Sequence, residues 1–211
     1  MRGLPLVLLA LALAGCSFRG GDSAPEARGD AGFTRYEISS GNFSVAVPDT
    51  WHATTSTQMQ KASFKLLARE NPVFRPYAEA AAKKRSPFKF FAYDPVVRNR
   101  FATNLNVVVS QLRAKSTPES FRRRLVAEAG SITASKVHAT EVSLPAGDAV
   151  RLEYRGRFSF EGKRKVVSTV QYALLVDKKV YVLTFATLPA FADEYEWAFR
   201  TSADSFRLTK S

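Results

Sequence analysis

One cysteine, Cys16, and two histidines, His52 and His138, are all that 211 residues offer of the side chains most used for metal ligation and proton transfer. A single cysteine forms no intrachain disulfide, so a fold of this size relies on its hydrophobic core. Neither histidine lies in a ligand spacing, and a metal site built here would draw mostly on carboxylates. Asp193, Glu194 and Glu196 do cluster. They open a predicted helix, however, where acids complement the dipole. No metal and no cofactor is therefore expected. Also missing are a G-x-S-x-G elbow, an H-E-x-x-H pair and a phosphate-binding loop. Their absence leaves no signature of a serine hydrolase, a zinc protease or a nucleotide enzyme. Carboxylates such as Glu141, Asp148 or Glu153, paired by folding, remain a route to catalysis. Nothing in the sequence points to them, and the expectation is that the chain is not an enzyme. Long apolar runs are absent too. The uncharged, mostly apolar stretch from Leu4 to Gly15 has 12 residues, well short of the roughly 20 residues of a membrane-spanning helix.

That short run has another reading. Arg2 precedes it, and it ends in Leu13-Ala14-Gly15-Cys16. A positive start, an apolar core of this length and small residues before the cut are the parts of an export signal. The ending resembles a bacterial lipobox, in which the thiol takes a diacylglyceryl group and the freed amine a further chain. Two or three acyl chains anchor stably where one does not. Cys16 is accordingly the expected lipid-attachment residue. Residues 1–15 are the expected signal peptide and residues 16–32 a lipidated cysteine with a tether. Ser17 to Gly32 has four glycines and no periodicity, and its random-coil reach is roughly 20–24 Å. The expected location is extracytoplasmic, on the membrane that holds the lipid.

Residues 33–211 read as one domain. Apolar residues make up 45% of the chain and phenylalanine alone numbers 16, which supplies a sizeable core and argues against disorder. Phe33 to Ser39 and Phe43 to Val47 alternate around Ser40-Gly41-Asn42, which predicts a hairpin, with Trp51 plugging the core at its exit. Thr57 to Arg69 and Pro72 to Arg85 read as helices. Phe88 to Tyr93 and Leu105 to Leu112 read as strands, with Phe88 and Phe90 on one face and Phe91 and Tyr93 on the other. Thr117-Pro118-Glu119 starts a helix that carries Phe121, Leu125 and Val126 on one side and runs to Ala129, ending at Gly130. Lys136 to Leu144 is a strand. Val150 to Phe160, Lys165 to Val176 and Lys179 to Thr187 form a meander. A last helix runs from about Pro189 to Asp204. The strand from Lys179 is apolar on both faces, which places it centrally. The strand from Val150 alternates with Arg151, Glu153 and Arg155, which gives it a wet face. The class is α+β, an antiparallel sheet with helices packed on it.

Several short motifs then carry a resemblance. Phe43-Ser44-Val45-Ala46-Val47-Pro48-Asp49-Thr50-Trp51 is similar to the opening of PsbP-like domains. Phe91-Ala92-Tyr93-Asp94-Pro95 followed by Asn104-Leu105-Asn106-Val107-Val108 resembles their middle. Gly147 to Tyr154, Gln171-Tyr172, Tyr181 to Phe185 and the terminal helix with Ser205-Phe206 resemble their end. The resemblance spans about Phe33 to Leu208. It implies an α/β/α sandwich around a central antiparallel sheet. It also implies kinship with photosystem II extrinsic subunits, a Ran-binding nuclear factor and bacterial lipoproteins of the LpqN and DcrB kinds. Members mostly bind other proteins or help assemble them, and there are no shared catalytic residues to carry over. The basic charge and the insert from Thr57 to Arg85 set this chain apart from the photosynthetic members.

Lysine and arginine number 31 against 19 acids, a net charge of +12. All of that excess lies beyond residue 32, because Arg2, Arg19 and Arg28 are balanced by Asp22, Glu26 and Asp30. The clusters are Lys83-Lys84-Arg85, Arg98 with Arg100, Arg122-Arg123-Arg124, Lys163-Arg164-Lys165 and Lys178-Lys179. Beside an anionic membrane or wall polymer they would draw the domain down. Otherwise they are solvated charge. Nucleic acid is not an expected partner. Three functions follow as expectations. The first is an envelope protein that binds or helps assemble a protein partner. The second is a carrier or sensor of a small apolar or anionic ligand, seated between the sheet and the insert, with Met59, Phe64, Leu66, Leu67 and Phe74 facing it. The third is a binder of anionic lipid or wall polymer. The ligand-binding residues are not legible at this stage.

Overall fold

The computed structural model describes residues 32–55, 88–112, 117–133, 135–160 and 163–209. The signal peptide, Cys16, residues 17–31 of the tether, the insert Thr57 to Arg85 and the cluster Lys83-Lys84-Arg85 lie outside the described residues. Within them the strands are β1 (Phe33–Ile38), β2 (Phe43–Pro48), β3 (His52–Thr54), β4 (Phe88–Arg98), β5 (Phe101–Gln111), β6 (His138–Leu144), β7 (Gly147–Phe160), β8 (Lys163–Val176), β9 (Lys179–Thr187) and β10 (Arg207–Leu208). The helices are α1 (Pro118–Gly130) and α2 (Ala192–Asp204), the second preceded by a 3₁₀ turn at Pro189–Phe191.

Seven strands form one antiparallel sheet in the order β3-β4-β5-β9-β8-β7-β6, and β1-β2-β10 form a small second sheet. β9 stands fourth of seven. This is why its two faces are both apolar: Tyr181, Leu183 and Phe185 serve one core and Val180 and Val182 the other. The small sheet and α2 cover the first face through Phe43, Val45, Val47, Phe199 and Phe206. The second face takes α1, which seats Phe121, Leu125 and Ala129 on Val150, Leu152, Tyr154 and Ala173. Burying Phe121 or Leu125 contributes about 1.5–3 kcal/mol relative to leaving it in water. The result is the expected α+β arrangement.

α1 begins as its sequence signals. Thr117 Oγ1 accepts the Ser120 N–H at 3.2 Å, Pro118 is the first helical residue and Glu119 sits in the first turn. Its end differs slightly. Gly130 belongs to the last turn, and Ser131, in right-handed geometry, caps it through its own N–H and its Oγ bond to the Glu128 carbonyl.

Three further differences have local causes. β4 and β5 extend beyond the strands read at Phe88 to Tyr93 and Leu105 to Leu112. They form a long hairpin closed at Asn99–Arg100, whose φ angles of 50° and 60° match the left-handed pair at Asp177–Lys178 between β8 and β9. Two residues of positive φ fit the right-handed twist of the flanking strands, and an arginine in that place hides the turn from a search for glycine. Secondly, the register slips between Phe88 and Phe90, which pair with Val108 and Val107. Adjacent partners face opposite ways, so the bulge at Lys89 splits Phe88 from Phe90. Phe90 joins the core under the small sheet, and Phe88 falls on the face of Phe91 and Tyr93. A second slip between Tyr93 and Val97 accommodates Pro95 within the strand. Thirdly, β3 and β10 are only three and two residues long and exist through pairing with β4 and β2, which no local pattern announces.

Candidate functional site

The sheet and helix elements leave a groove of about 670 Å³ between the start of α1 and the β6–β7 hairpin. Its apolar floor is Val150, Ala173, Leu175 and Val176, with Phe121 and Pro118 as the helix wall. The opposite rim is polar. Strand alternation sends Glu141, Ser143 and Asp148 to the α1 face, because Glu141 pairs with Val150 and Ser143 with Asp148. All three are exposed. Ser143 Oγ donates to Asp148 Oδ1 at 2.9 Å, which holds that carboxylate along the rim. Gly147, at φ 127°, supplies the tight reversal that aligns the two strands.

This arrangement brings together two of the three carboxylates singled out in the sequence and separates the third. Glu153 pairs with Val170 on the opposite face and is ion-paired with Arg151. Neither histidine joins the groove: His52 packs against the Tyr93 ring at 5.5 Å, and His138 stands exposed at the start of β6. No cluster of three or more His, Cys, Asp or Glu side chains suited to a metal occurs among the described residues. An apolar floor with exposed carboxylates on one rim can seat an apolar group that carries a positive charge beside it.

A second feature lies on the same face, deeper in the sheet. Asn104 and Asn106 of β5, Thr184 of β9, and Gln171 and Thr169 of β8 are all buried. They form a polar row across neighbouring strands, since Asn106 pairs with Thr184 and Thr184 with Gln171. Gln171 Nε2 donates to Thr184 Oγ1 at 3.0 Å, while Gln171 Oε1 and Thr169 Oγ1 find no partner among the described residues. Period-two alternation marks these positions as inward-facing, but the sequence reading attached no site to them.

A third cluster ties β4 to α2. Tyr195 Oη donates to Asp94 Oδ2 at 2.5 Å, and Asp94 Oδ1 accepts the Val96 N–H at 2.8 Å. Arg98 grips Glu194 with both terminal nitrogens, at 2.5 and 2.8 Å, and lies over the Phe191 ring at 4.5 Å. Burial, aided by Asp94, pushes the Tyr195 hydroxyl up to about 12. The hydrogen bond from Arg98 holds Glu194 below the usual carboxylate range. Trp51 is buried against Tyr195, as a core plug.

Among the described residues the basic clusters do not merge into one patch. Arg100 and Arg164-Lys165 sit on the β4–β5 and β7–β8 hairpin tips, joined by the Lys165 Nζ bond to the Asn99 carbonyl. Lys178-Lys179 sits on the β8–β9 turn at the other end of the sheet. Along α1, Arg122 donates to the Ala139 carbonyl at 3.3 Å, Arg123 pairs with Glu119 at 3.2 Å and Arg124 approaches Glu128 at 3.9 Å. Arg122 and Arg123 are exposed outside the core stripe, while half-buried Arg124 lies over the Phe121 ring at 5.9 Å, so the three point to different neighbours.

No family model matches the chain, and no curated protein matches it in sequence. Solved structures do match in three dimensions. LpqN of Mycobacterium tuberculosis, described as involved in cell envelope biogenesis, is 14% identical over 89% of this chain and 90% of its own, with a TM-score of 0.51. The Ran-binding protein Mog1p of Saccharomyces cerevisiae is 10% identical over 84% of this chain and 96% of its own, with a TM-score of 0.50. Cyanobacterial PsbP from Synechocystis sp. PCC 6803 is 14% identical over 89% of this chain and 98% of its own, with a TM-score of 0.48. At such identities the likeness to LpqN and Mog1p is one of fold. That fold is the PsbP-like one implied by the sequence motifs.

Proposed function

We propose that this protein is a non-enzymatic, lipid-anchored binding protein of the cell envelope that holds a protein partner in the groove between α1 and the β6–β7 hairpin. The observation that carries the reading is the groove itself: an apolar floor, an exposed acidic rim and about 670 Å³ of open space. The partner segment that fits it presents an apolar side chain next to a lysine or arginine. Support for the envelope address comes from the lipobox-like ending at Cys16 and from the fold shared with LpqN. A domain from residue 33 onward, tethered by residues 16–32, is the organisation this requires.

The ligand seat expected beside the insert Thr57 to Arg85 lies outside the described residues. A small-ligand carrier remains the second reading, favoured by the volume alone, since pockets of about 300–1,000 Å³ hold drug-sized molecules. Photocrosslinking separates the two. The full chain, C-terminally tagged, carries a photoreactive residue in place of Ala146 at the groove mouth and is irradiated in host membranes beside a Cys16→Ser control. A discrete crosslinked protein, lost with Asp148→Lys and with Cys16→Ser, is the expected result. Adducts of lipid or small-molecule mass alone would sink the protein-partner reading and leave the carrier.

A further inference from the structure

We propose that the end of the fold where the chain enters, at Gly32–Phe33, is a membrane-docking face that rests on the lipid surface holding Cys16; this depends on the anchoring reading above. Among the described residues, four large hydrophobic side chains are exposed: Trp197 at 65%, Val96 at 53%, Val97 at 42% and Val166 at 40%. All four are at this one end. Trp197 packs edge-on against Phe33, the first strand residue after the tether, at 5.1 Å. Val96 and Val97 lead into the β4–β5 tip, which Arg98 fastens to α2 through Glu194. Val166 follows Lys165, which bonds that same tip at Asn99.

The occupant follows from the tether and from the shape of the surface. Sixteen residues, Ser17 to Gly32, have an r.m.s. random-coil reach of roughly 20–24 Å, so on average this end would lie about that far from the anchored lipid. The apolar side chains project singly from two hairpins and a helix rather than lining a concavity. A fluid interface accepts such projections without shape complementarity, and tryptophan partitions to the head-group layer. Arg100, Arg157 and Arg164 stand exposed on the two hairpin tips and are drawn to anionic head groups. Asp193 and Glu196 flank Trp197 on α2. They set a limit on depth: the surface lies on the head groups and does not sink through them. The orientation has a consequence for the groove. β8 runs from Val166 at the docking end to Val176 at the groove, roughly 34 Å at the antiparallel rise. The groove is thereby held away from the bilayer.

Tryptophan quenching tests this on the processed full chain, extracted from its host and reconstituted into vesicles of brominated phosphatidylcholine with phosphatidylglycerol. Trp51 is buried, so quenching of the exposed emission reports Trp197. The expected result is a blue shift and quenching, absent in Trp197→Phe and reduced in Arg100→Glu/Arg164→Glu. Mass spectrometry of the same sample reads the state of Cys16. An acylated chain whose Trp197 stays unquenched overturns the docking face and leaves the anchor. A chain without acyl mass whose Trp197 is still quenched overturns the anchor and keeps the face. A chain with neither signal overturns both.

Discussion

The two faces of the central sheet are built differently. Under the small sheet and α2 the contacts are aromatic: Phe43 with Phe206 at 5.2 Å, Phe185 with Phe199 at 4.9 Å and Tyr172 with Phe185 at 6.0 Å. Under α1 the helix seats Phe121, Leu125 and Ala129 on Val150, Leu152, Tyr154 and Ala173, a polar row is buried in the sheet and a groove is left open. Interlocked rings fix one arrangement because each ring's position constrains the next. Short side chains and an open groove leave room for something to bind. The aromatic face thus carries stability, and the α1 face carries the adaptable surface.

The largest expected effect comes from breaking the aromatic face. Phe206→Ala removes a fully buried ring that touches both Phe43 and Tyr181. It should cost about 3–5 kcal/mol, measured as a lowered denaturation midpoint at unchanged slope. A loss under about 1 kcal/mol would end the claim that this face holds the fold.

A smaller effect is expected at the edge of that face. Tyr195→Phe deletes the donor to Asp94 and should cost about 1–3 kcal/mol, because a carboxylate loses a bond. It also has a pH signature. The Tyr195 hydroxyl titrates at about 12 when folded, above the roughly 10 of an unfolded tyrosine. A raised folded value contributes stability that is whole below pH 10 and fades as pH rises toward 12. The wild-type chain should lose stability across that window, and Tyr195→Phe should lose less. Absorbance near 295 nm followed through the same range identifies the late-titrating phenol.

The α1 face should respond much less. Replacing Gln171 and Thr184 together by Met and Val removes one hydrogen bond and one buried oxygen lacking a described partner, at similar shape. Exchanging both partners of a buried bond for apolar groups is close to neutral, within about 1 kcal/mol. A loss as large as that of Phe206→Ala would make the polar row a structural element equal to the rings and erase the contrast. The smallest effect belongs to the groove rim. Asp148→Lys, at an exposed position, should shift the midpoint by no more than about 0.5 kcal/mol while abolishing groove crosslinks.

Much of this architecture was legible in the chain. The alternation in Val180 to Phe185 placed β9 at the sheet centre, and Thr117-Pro118-Glu119 placed the start of α1 within a residue. The Phe88–Phe90 pairing was misread because a bulge at Lys89 leaves no trace in an alternating pattern. The Asn99–Arg100 turn was missed because its left-handed residues are not glycine. The candidate site was only half visible. Glu141 and Asp148 stood out as carboxylates, but Pro118, Phe121, Leu175 and Val176 read as core and helix-start residues, and the groove exists only where they meet.

By itself, then, the sequence determined the period of each strand, the apolar stripe of each helix, the net charge and the lipobox-like ending at Cys16. These are local quantities, set by each side chain and its near neighbours. Tertiary structure alone decided which carboxylates share a rim and which hairpin tips share an end. It also decided that, among the described residues, the exposed large apolar side chains gather near Phe33. Those are distances between residues far apart in the chain, and strand pairing across the sheet sets them.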